Sequence, residues 1–250
     1  DDDWFFTYFQ PYRYIVNRVP VYPSIGNHDA AESEDCDDRA QVEDNFYICE
    51  RLAGEEASGR ASHGPGLFYR FRYGSAVEFV CIDSSRRFLL FGERFFRHVN
   101  HAPFLAAAFP ERRAADEPPR WRIPFAHHPP YCAGPMWGNS RSSIEHLVPL
   151  YKRSGVKMVL SGHEHNFQHA LVDGIHYFVT GGGGKVRSGT PRGYAEAGTT
   201  AWSARAHFLL VKIDGTSALV SPIGEDGRPL SVTGTDGVVR SGTSVVEAAS

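Results

Sequence analysis

Three short segments of the chain end in side chains that commonly bind metal ions. They are Ile25-Gly26-Asn27-His28-Asp29, Phe125-Ala126-His127-His128-Pro129 and Leu160-Ser161-Gly162-His163-Glu164-His165. Imidazole nitrogens together with amide and carboxylate oxygens, and without thiolates, suit zinc, iron or manganese better than calcium or a sulfur cluster. The residue types therefore predict a metal site with mixed nitrogen and oxygen ligands.

The elements before these segments explain how they would meet. Each segment follows an apolar run that is predicted to be a β-strand. Side chains at the carboxyl ends of neighbouring strands point into one crevice, so residues far apart in the sequence converge there. The glycines allow the backbone to turn sharply and to approach an ion. His163 and His165 share a face on an extended segment, whereas on a tight turn they reach two adjacent ions.

Each segment by itself also has a simpler explanation. A lone His-x-His pair is weak evidence, and Asn-His-Asp is often a turn, because Asn and Asp tolerate left-handed backbone. His127-His128-Pro129 is compatible with a plain strand end. The conjunction of three such strand ends in one order favours the metal site over these explanations.

The rest of the pattern predicts an α/β protein. Residues 4–18 have roughly helical spacing with a break at Pro11, residues 19–25 form a short buried strand, and residues 30–65 form a surface excursion. Gly74-Ser75 separates two strand-like runs within 67–83, which predicts a β-hairpin. Further helices are predicted at 91–100, 104–115 and 143–154. Further strands are predicted at 121–126 and 156–160 and in several runs between 170 and 227.

Composition limits the classes of function. The 26 basic and 29 acidic side chains give a net charge of −3, which does not fit a protein that binds nucleic acid or an anionic membrane surface. No apolar run approaches the roughly 20 residues of a transmembrane helix. The length suits one large α/β domain or two small ones.

The cysteines predict little about redox chemistry. None of the four forms a C-x-x-C pair, and Cys81 lies in an apolar run as a buried thiol. Cys36 and Cys49 bracket a polar loop and would suit a disulfide in an exported protein. Spacing does not fix that pairing.

The motifs resemble those of a known family. GNHD, HHPPY and GHEHNFQ are similar to the third, fourth and fifth motifs of the calcineurin-like metallophosphoesterase superfamily. GHEHNFQ and the later TGGGGK resemble the purple acid phosphatase branch, including its tartrate-resistant members. The resemblance implies a four-layer sandwich of two mixed β-sheets flanked by helices, with the catalytic domain over residues 1–230 and a flexible tail at 231–250.

The resemblance also implies two metal ions, of iron, zinc or manganese. Asn27, His127 and His163 would bind the second ion, and His165 would bind the first. The family's first two motifs, whose aspartates complete the site, have no counterpart before Trp4. The chain is therefore expected to start just after the second motif, as an N-terminally truncated domain.

The remaining roles follow from the same resemblance. His28 would protonate the leaving group, oriented by Asp29. The branch places phosphate-holding histidines after the fourth motif, but the stretch 132–139 has none. His128 and Asn139 are the candidates to bind the substrate instead.

The expected activity is hydrolysis of a small phosphomonoester by a metal-activated hydroxide. The alternatives are a phosphodiesterase or nucleotidase with the same site, or an inert fragment or binding module that retains the fold. Secretion or a periplasmic location would agree with the branch and with a Cys36–Cys49 pair. Natural substrate, metal identity and oligomeric state are open at this level.

Overall fold

The computed structural model describes residues 4–29, 42, 44–57, 59, 61–63, 67–84, 102–111 and 121–248. Its helical elements begin with a π-helix at Phe5–Phe9 that continues into helix α1 at Gln10–Val16. The other helices are α2 (Ile48–Ala57), α3 (Ala102–Ala108), α4 (Arg141–His146), α5 (Val148–Arg153) and α6 (Tyr194–Ala197). None of the helices within these ranges is long and apolar enough to cross a membrane.

Thirteen strands are present in the same ranges. The first seven are β1 (Ala61–His63), β2 (Tyr69–Tyr73), β3 (Val77–Ile82), β4 (Trp121–Ala126), β5 (Met158–Ser161), β6 (Phe167–Val172) and β7 (Ile175–Thr180). The other six are β8 (Thr199–Ser203), β9 (His207–Asp214), β10 (Ser217–Gly224), β11 (Ser231–Gly234), β12 (Val239–Ser241) and β13 (Ser244–Glu247).

The strands form one large mixed sheet and a second, smaller sheet. The large sheet has the order β1-β2-β3-β4-β5-β7-β6-β8-β11-β12, and the small one has the order β13-β10-β9. All strand pairs in the small sheet are antiparallel. The predicted α/β class with two sheets is confirmed, although the second sheet is antiparallel and not mixed over the described residues.

The centre of the large sheet is parallel and brings two of the three candidate segments together. Strands β3, β4, β5 and β7 run parallel. Ile82 pairs with Ala126, and Ala126 pairs with Ser161, so three strands end at the same level of the sheet. Nearly every residue of these strands is buried or half-buried, as expected for parallel strands covered on both faces.

Two apolar layers cover this sheet. On one face Val80 and Ile82 of β3 pack with Phe104 and Leu105 of α3 and with Tyr151 of α5. On the other face the core lies between the two sheets and contains Trp121, Phe178, Val220, Val232 and Val246 among others. A third cluster joins Ile25 and Leu52 to Tyr69 and Cys81. It packs the segment that precedes Asn27 against β2 and β3.

Several predicted elements are confirmed. The hairpin β2–β3 pairs Tyr73 with Val77 around Gly74, which has a left-handed φ of 62°. The helix predicted over 143–154 consists of two short helices, α4 and α5. Pro149 lies in the first turn of α5, and a proline at that point cannot continue a preceding helix, because it has no N–H to donate.

Two predictions were wrong. Over the described part of the chain, residues 19–25 pair with neither sheet, although Pro23 O accepts a hydrogen bond from Tyr69 Oη at 2.6 Å. Residues 231–247 are not a flexible tail: they form β11, β12 and β13, and β13 pairs with β10. The predicted helix at 91–100 and the Cys36 partner of the predicted disulfide lie outside the described residues. Cys81 and Cys132 are buried free thiols.

Candidate metal centre

Three side chains from three separate segments converge on one point. His127 Nε2 lies 2.9 Å from Asn27 Oδ1 and 3.0 Å from His163 Nδ1. Ligand atoms that each lie 2.0–2.2 Å from one ion are typically about 3 Å from each other. His127 Nε2 therefore lies at coordination-shell spacing from the ligand atoms of both other predicted ligands.

The strand ends and a strained turn hold this arrangement. His127 follows β4 directly and His163 follows β5 by two residues, and Gly162 N donates to His127 O at 3.0 Å across the two strand ends. His163 has a φ of 68°, a left-handed conformation that is uncommon for residues other than glycine. Such strain persists where the surrounding contacts fix it, and it is concentrated at functional sites.

His128 belongs to the same cluster. One ligand atom each of His127, His128 and His163 lies within 4.8 Å of the other two. His128 Nδ1 is 3.1 Å from Ser84 Oγ, and the same hydroxyl accepts from His128 N at 2.8 Å. The prediction of substrate binding stays open, because the position of His128 also suits a metal ligand.

Ser84 is a member of the site that the sequence reasoning missed. It is fully buried, two residues after β3 ends. Because β3 and β4 are parallel and Ile82 pairs with Ala126, position 84 lies level with position 128. The available signal was the end of the apolar strand at Ile82, next to a strand that ends in histidines.

Burial makes these imidazoles neutral. Desolvation, followed by the neighbouring imidazoles, lowers the pKa of His127 to about 3. Desolvation likewise lowers the pKa of His128 and of His163 to about 4. A neutral imidazole has the free lone pair that binds a metal, so all three are in the ligand form at neutral pH.

His165 and His28 flank the cluster. Nδ1 of His165 is buried and has no hydrogen-bond partner among the described residues, and its ring lies outside the group of three. Burial is also the main cause that lowers the pKa of His165, with smaller effects from Arg187, Lys185 and His28. The exposed side chain of His28 likewise contributes to the lowered pKa of His127. His28 therefore lies close enough to both histidines to influence their charge.

Asp29 and Asn139 contact the backbone. Asp29 Oδ2 accepts from Gly26 N at 2.8 Å, which closes the turn that carries Asn27. Asn139 Oδ1 accepts from Cys132 N at 2.9 Å, and its Nδ2 donates to Glu196 O at 2.8 Å. These contacts favour loop-holding roles, while orientation of His28 by Asp29 and phosphate binding by Asn139 stay predictions.

The sequence reasoning also missed the carboxylate of Glu164, which lies between His163 and His165 in the sequence. Glu164 is fully buried and its Oε1 accepts from Arg187 Nη1 at 2.7 Å. Its Oε2 accepts from Met136 N at 3.0 Å and Trp137 N at 2.9 Å. Gly181 allows the next strand end to approach, since a Cβ there would lie 2.2 Å from Glu164 O. The Glu164 side chain thus joins the ligand turn to the loop 132–139 and to Arg187, and its backbone packs against Gly181.

The donor set fits metal ions. Asn27, His127 and His163 supply one oxygen and two neutral nitrogens at coordination spacing, and His165 presents a buried nitrogen with no partner among the described residues. Neutral nitrogen and oxygen donors suit zinc, iron or manganese.

Comparison with known proteins agrees with this chemistry. The sequence profile of the family described as calcineurin-like phosphoesterase matches residues 2–167, a range that includes the whole cluster. Purple acid phosphatase 17 from Arabidopsis thaliana is 32% identical over 72 residues, which cover 28% of this chain and 21% of that protein. This similarity agrees with the predicted branch.

Two solved structures resemble the chain at low identity. GAP50, the anchor in the inner membrane complex of Plasmodium, has a TM-score of 0.48 at 17% identity, over 68% of this chain and 54% of that one. Purple acid phosphatase PPD1 from yellow lupin (Lupinus luteus) seeds has a TM-score of 0.42 at 15% identity, over 72% of this chain and 32% of that one. The chain thus spans only part of the length of each relative. On the profile match over more than half of its residues, the chain belongs to the calcineurin-like phosphoesterase family.

Proposed function

We propose that this protein hydrolyses phosphate esters, and phosphomonoesters in particular, with metal ions bound by Asn27, His127, His163 and His165. The observation that carries the proposal is that His127 Nε2 lies about 3 Å from both Asn27 Oδ1 and His163 Nδ1. Membership of the calcineurin-like phosphoesterase family supports the same chemistry.

The chain's own residues have distinct parts in this reaction. When bound, the metal ions supply Lewis acidity toward the phosphoryl oxygens and lower the pKa of bound water. Hydrolysis forms a bond from a water oxygen to phosphorus and breaks the bond from phosphorus to the leaving oxygen. The exposed His28, beside the cluster, would give the leaving oxygen its proton. His128, fixed through Ser84, would hold the phosphoryl group or complete the metal shell.

The test separates ligands from the proton donor. The protein is loaded with zinc, manganese or iron, and both metal content and hydrolysis of 4-nitrophenyl phosphate are measured. His163→Ala should lose metal and activity together. His28→Ala should keep its metal and lose about 10²- to 10⁴-fold in turnover, the usual contribution of a general acid. His146→Ala, an exposed histidine at the end of α4, is the control and should keep both.

The outcomes also discriminate between the alternatives. Faster hydrolysis of bis(4-nitrophenyl) phosphate than of the monoester would favour a phosphodiesterase. Full metal loading without hydrolysis of either ester would favour a binding module. Unchanged metal content in His163→Ala would contradict the ligand assignment itself.

A further inference from the structure

The loop 132–139 places an aromatic ring directly against a predicted metal ligand. The ring centroids of Trp137 and His163 are 4.7 Å apart, with the ring planes tilted by 33°. Trp137 nevertheless keeps 44% of its surface exposed, and the adjacent Met136 is 59% exposed. The indole therefore borders the cluster while part of its surface remains exposed.

Buried polar side chains fix the backbone of this loop. Glu164 accepts from the N–H groups of Met136 and Trp137. Gln168 accepts from Ala133 N at 2.8 Å and donates to Gly134 O at 2.8 Å. Asn166, which is fully buried like Glu164, donates to Gly134 O at 3.2 Å.

These contacts give the loop one defined position. Burying a polar side chain is unfavourable unless its hydrogen bonds are made, so the loop stays where these three side chains are satisfied. All three follow His163 within five residues, on the turn and strand that also carry His165. The ligand turn and the Trp137 surface are thus held by the same segment, and their relative position is set locally.

A phosphate ester at the cluster must direct its leaving group away from the ligands. The structure holds the indole of Trp137 beside His163. A planar ring in the leaving group would gain a stacked or edge-to-face contact with the indole, whereas a short alkyl group would gain much less. We propose that Trp137 binds the leaving group and selects phosphate esters whose leaving group carries a planar apolar ring. This inference rests on the phosphoesterase function proposed above.

The experiment measures binding independently of turnover. Dissociation constants of phenylphosphonate and propylphosphonate are determined by calorimetry on the metal-loaded protein, with metal content checked for every variant. The wild type should prefer the phenyl compound, and Trp137→Ala should lower that preference about three- to tenfold. Trp137→Phe should restore most of it. Phe208→Ala, an exposed aromatic residue on β9, is the matched control and should leave the preference unchanged.

Comparing the two ligands isolates the role of Trp137. If Trp137→Ala leaves the ratio of the two dissociation constants unchanged, the proposal is overturned. Equal weakening of both ligands would then mean that the indole only orients His163. Lack of hydrolysis of any ester by the metal-loaded wild type would refute the phosphoesterase function. The phenyl preference and its loss in Trp137→Ala would still test the contact with Trp137, because phosphonate binding does not require turnover.

Discussion

Gly26 faces the imidazole of His127 so closely that a side chain at position 26 is sterically excluded. A Cβ built on Gly26 would lie 2.7 Å from Cε1 and Nδ1 of His127 and 2.9 Å from Cγ. The N–H of the same glycine is bonded to Asp29 Oδ2, so the backbone has little room to withdraw. Gly26 is therefore needed for the close approach of the predicted ligand His127, which follows β4.

Gly26→Ala should displace His127 and weaken metal binding. Loss of a group that orients a ligand commonly lowers metal affinity about 10- to 100-fold, and we expect a decrease of that size. Calorimetric titration with zinc measures the change. Gly184→Ala is the control, because a Cβ there meets no atom within 4 Å. Equal zinc affinity in Gly26→Ala and wild type would contradict the assignment of His127.

Glu164→Ala should destabilise the protein strongly. The substitution leaves Arg187, whose side chain is only 23% exposed, and two loop N–H groups without their carboxylate. Breaking such a buried pair typically costs about 3 kcal/mol or more. Urea unfolding of the metal-free protein measures the loss.

The control for this substitution is an exposed ion pair of similar length. Glu145 pairs with Arg141 on the surface of α4, so Glu145→Ala should change the free energy of unfolding very little. If both substitutions had the same small effect, the Glu164 contacts would contribute no net stability and would not hold the loop in one position.

Val246→Ala should reveal that the C-terminal strand is part of the core. Val246 on β13 is 1% exposed and packs between the two sheets, whereas the neighbouring Val245 is 57% exposed. Removing two buried methyl groups should lower the free energy of unfolding by about 2 kcal/mol. Val245→Ala should have little effect. A flexible C-terminus would instead make the two substitutions equivalent in chemical denaturation.

His169 and His176 should make the protein less stable as the pH falls. Their rings stack with 7° between planes, and His169 Nε2 lies 2.9 Å from His176 Nδ1. Burial, and then the charge of His176, lowers the pKa of His169 to about 4. Burial, and then Lys157, lowers the pKa of His176. Their unfolded pKa is near 6.5, so between about pH 6.5 and 4 the unfolded chain binds protons that the folded chain does not.

The free energy of unfolding should therefore decrease toward pH 4, by up to about 1.4 kcal/mol per pH unit for each such imidazole. His169→Gln should reduce this slope. Urea unfolding in a chelator between pH 4.5 and 6.5 measures it without metal binding. The same slope in variant and wild type would show that His169 takes no part in the pH dependence.

Much of the candidate site followed from local sequence. Turn residues, apolar runs and the ligands directly after them are short-range features, and they were sufficient to predict the β2–β3 hairpin, β4 and β5. The parallel sheet then brought His127 and His163 together, because the carboxyl ends of parallel strands meet at one edge. Asn27 reaches His127 from the segment that packs against β2 and β3.

The tertiary structure decided which distant groups pair. Ser84 joins His128 only because β3 and β4 adopt one register, and Glu164 meets Arg187 and the Trp137 loop only after three segments have packed. The strands after residue 230 were missed although Asp236-Gly237, between Val232 and Val239, is a hairpin signal. Val246 is buried through pairing with β10, a long-range contact that no local pattern encodes. The sequence by itself thus determined the ligand types and the strand-end positions of His127 and His163, and the packing of distant segments determined their partners.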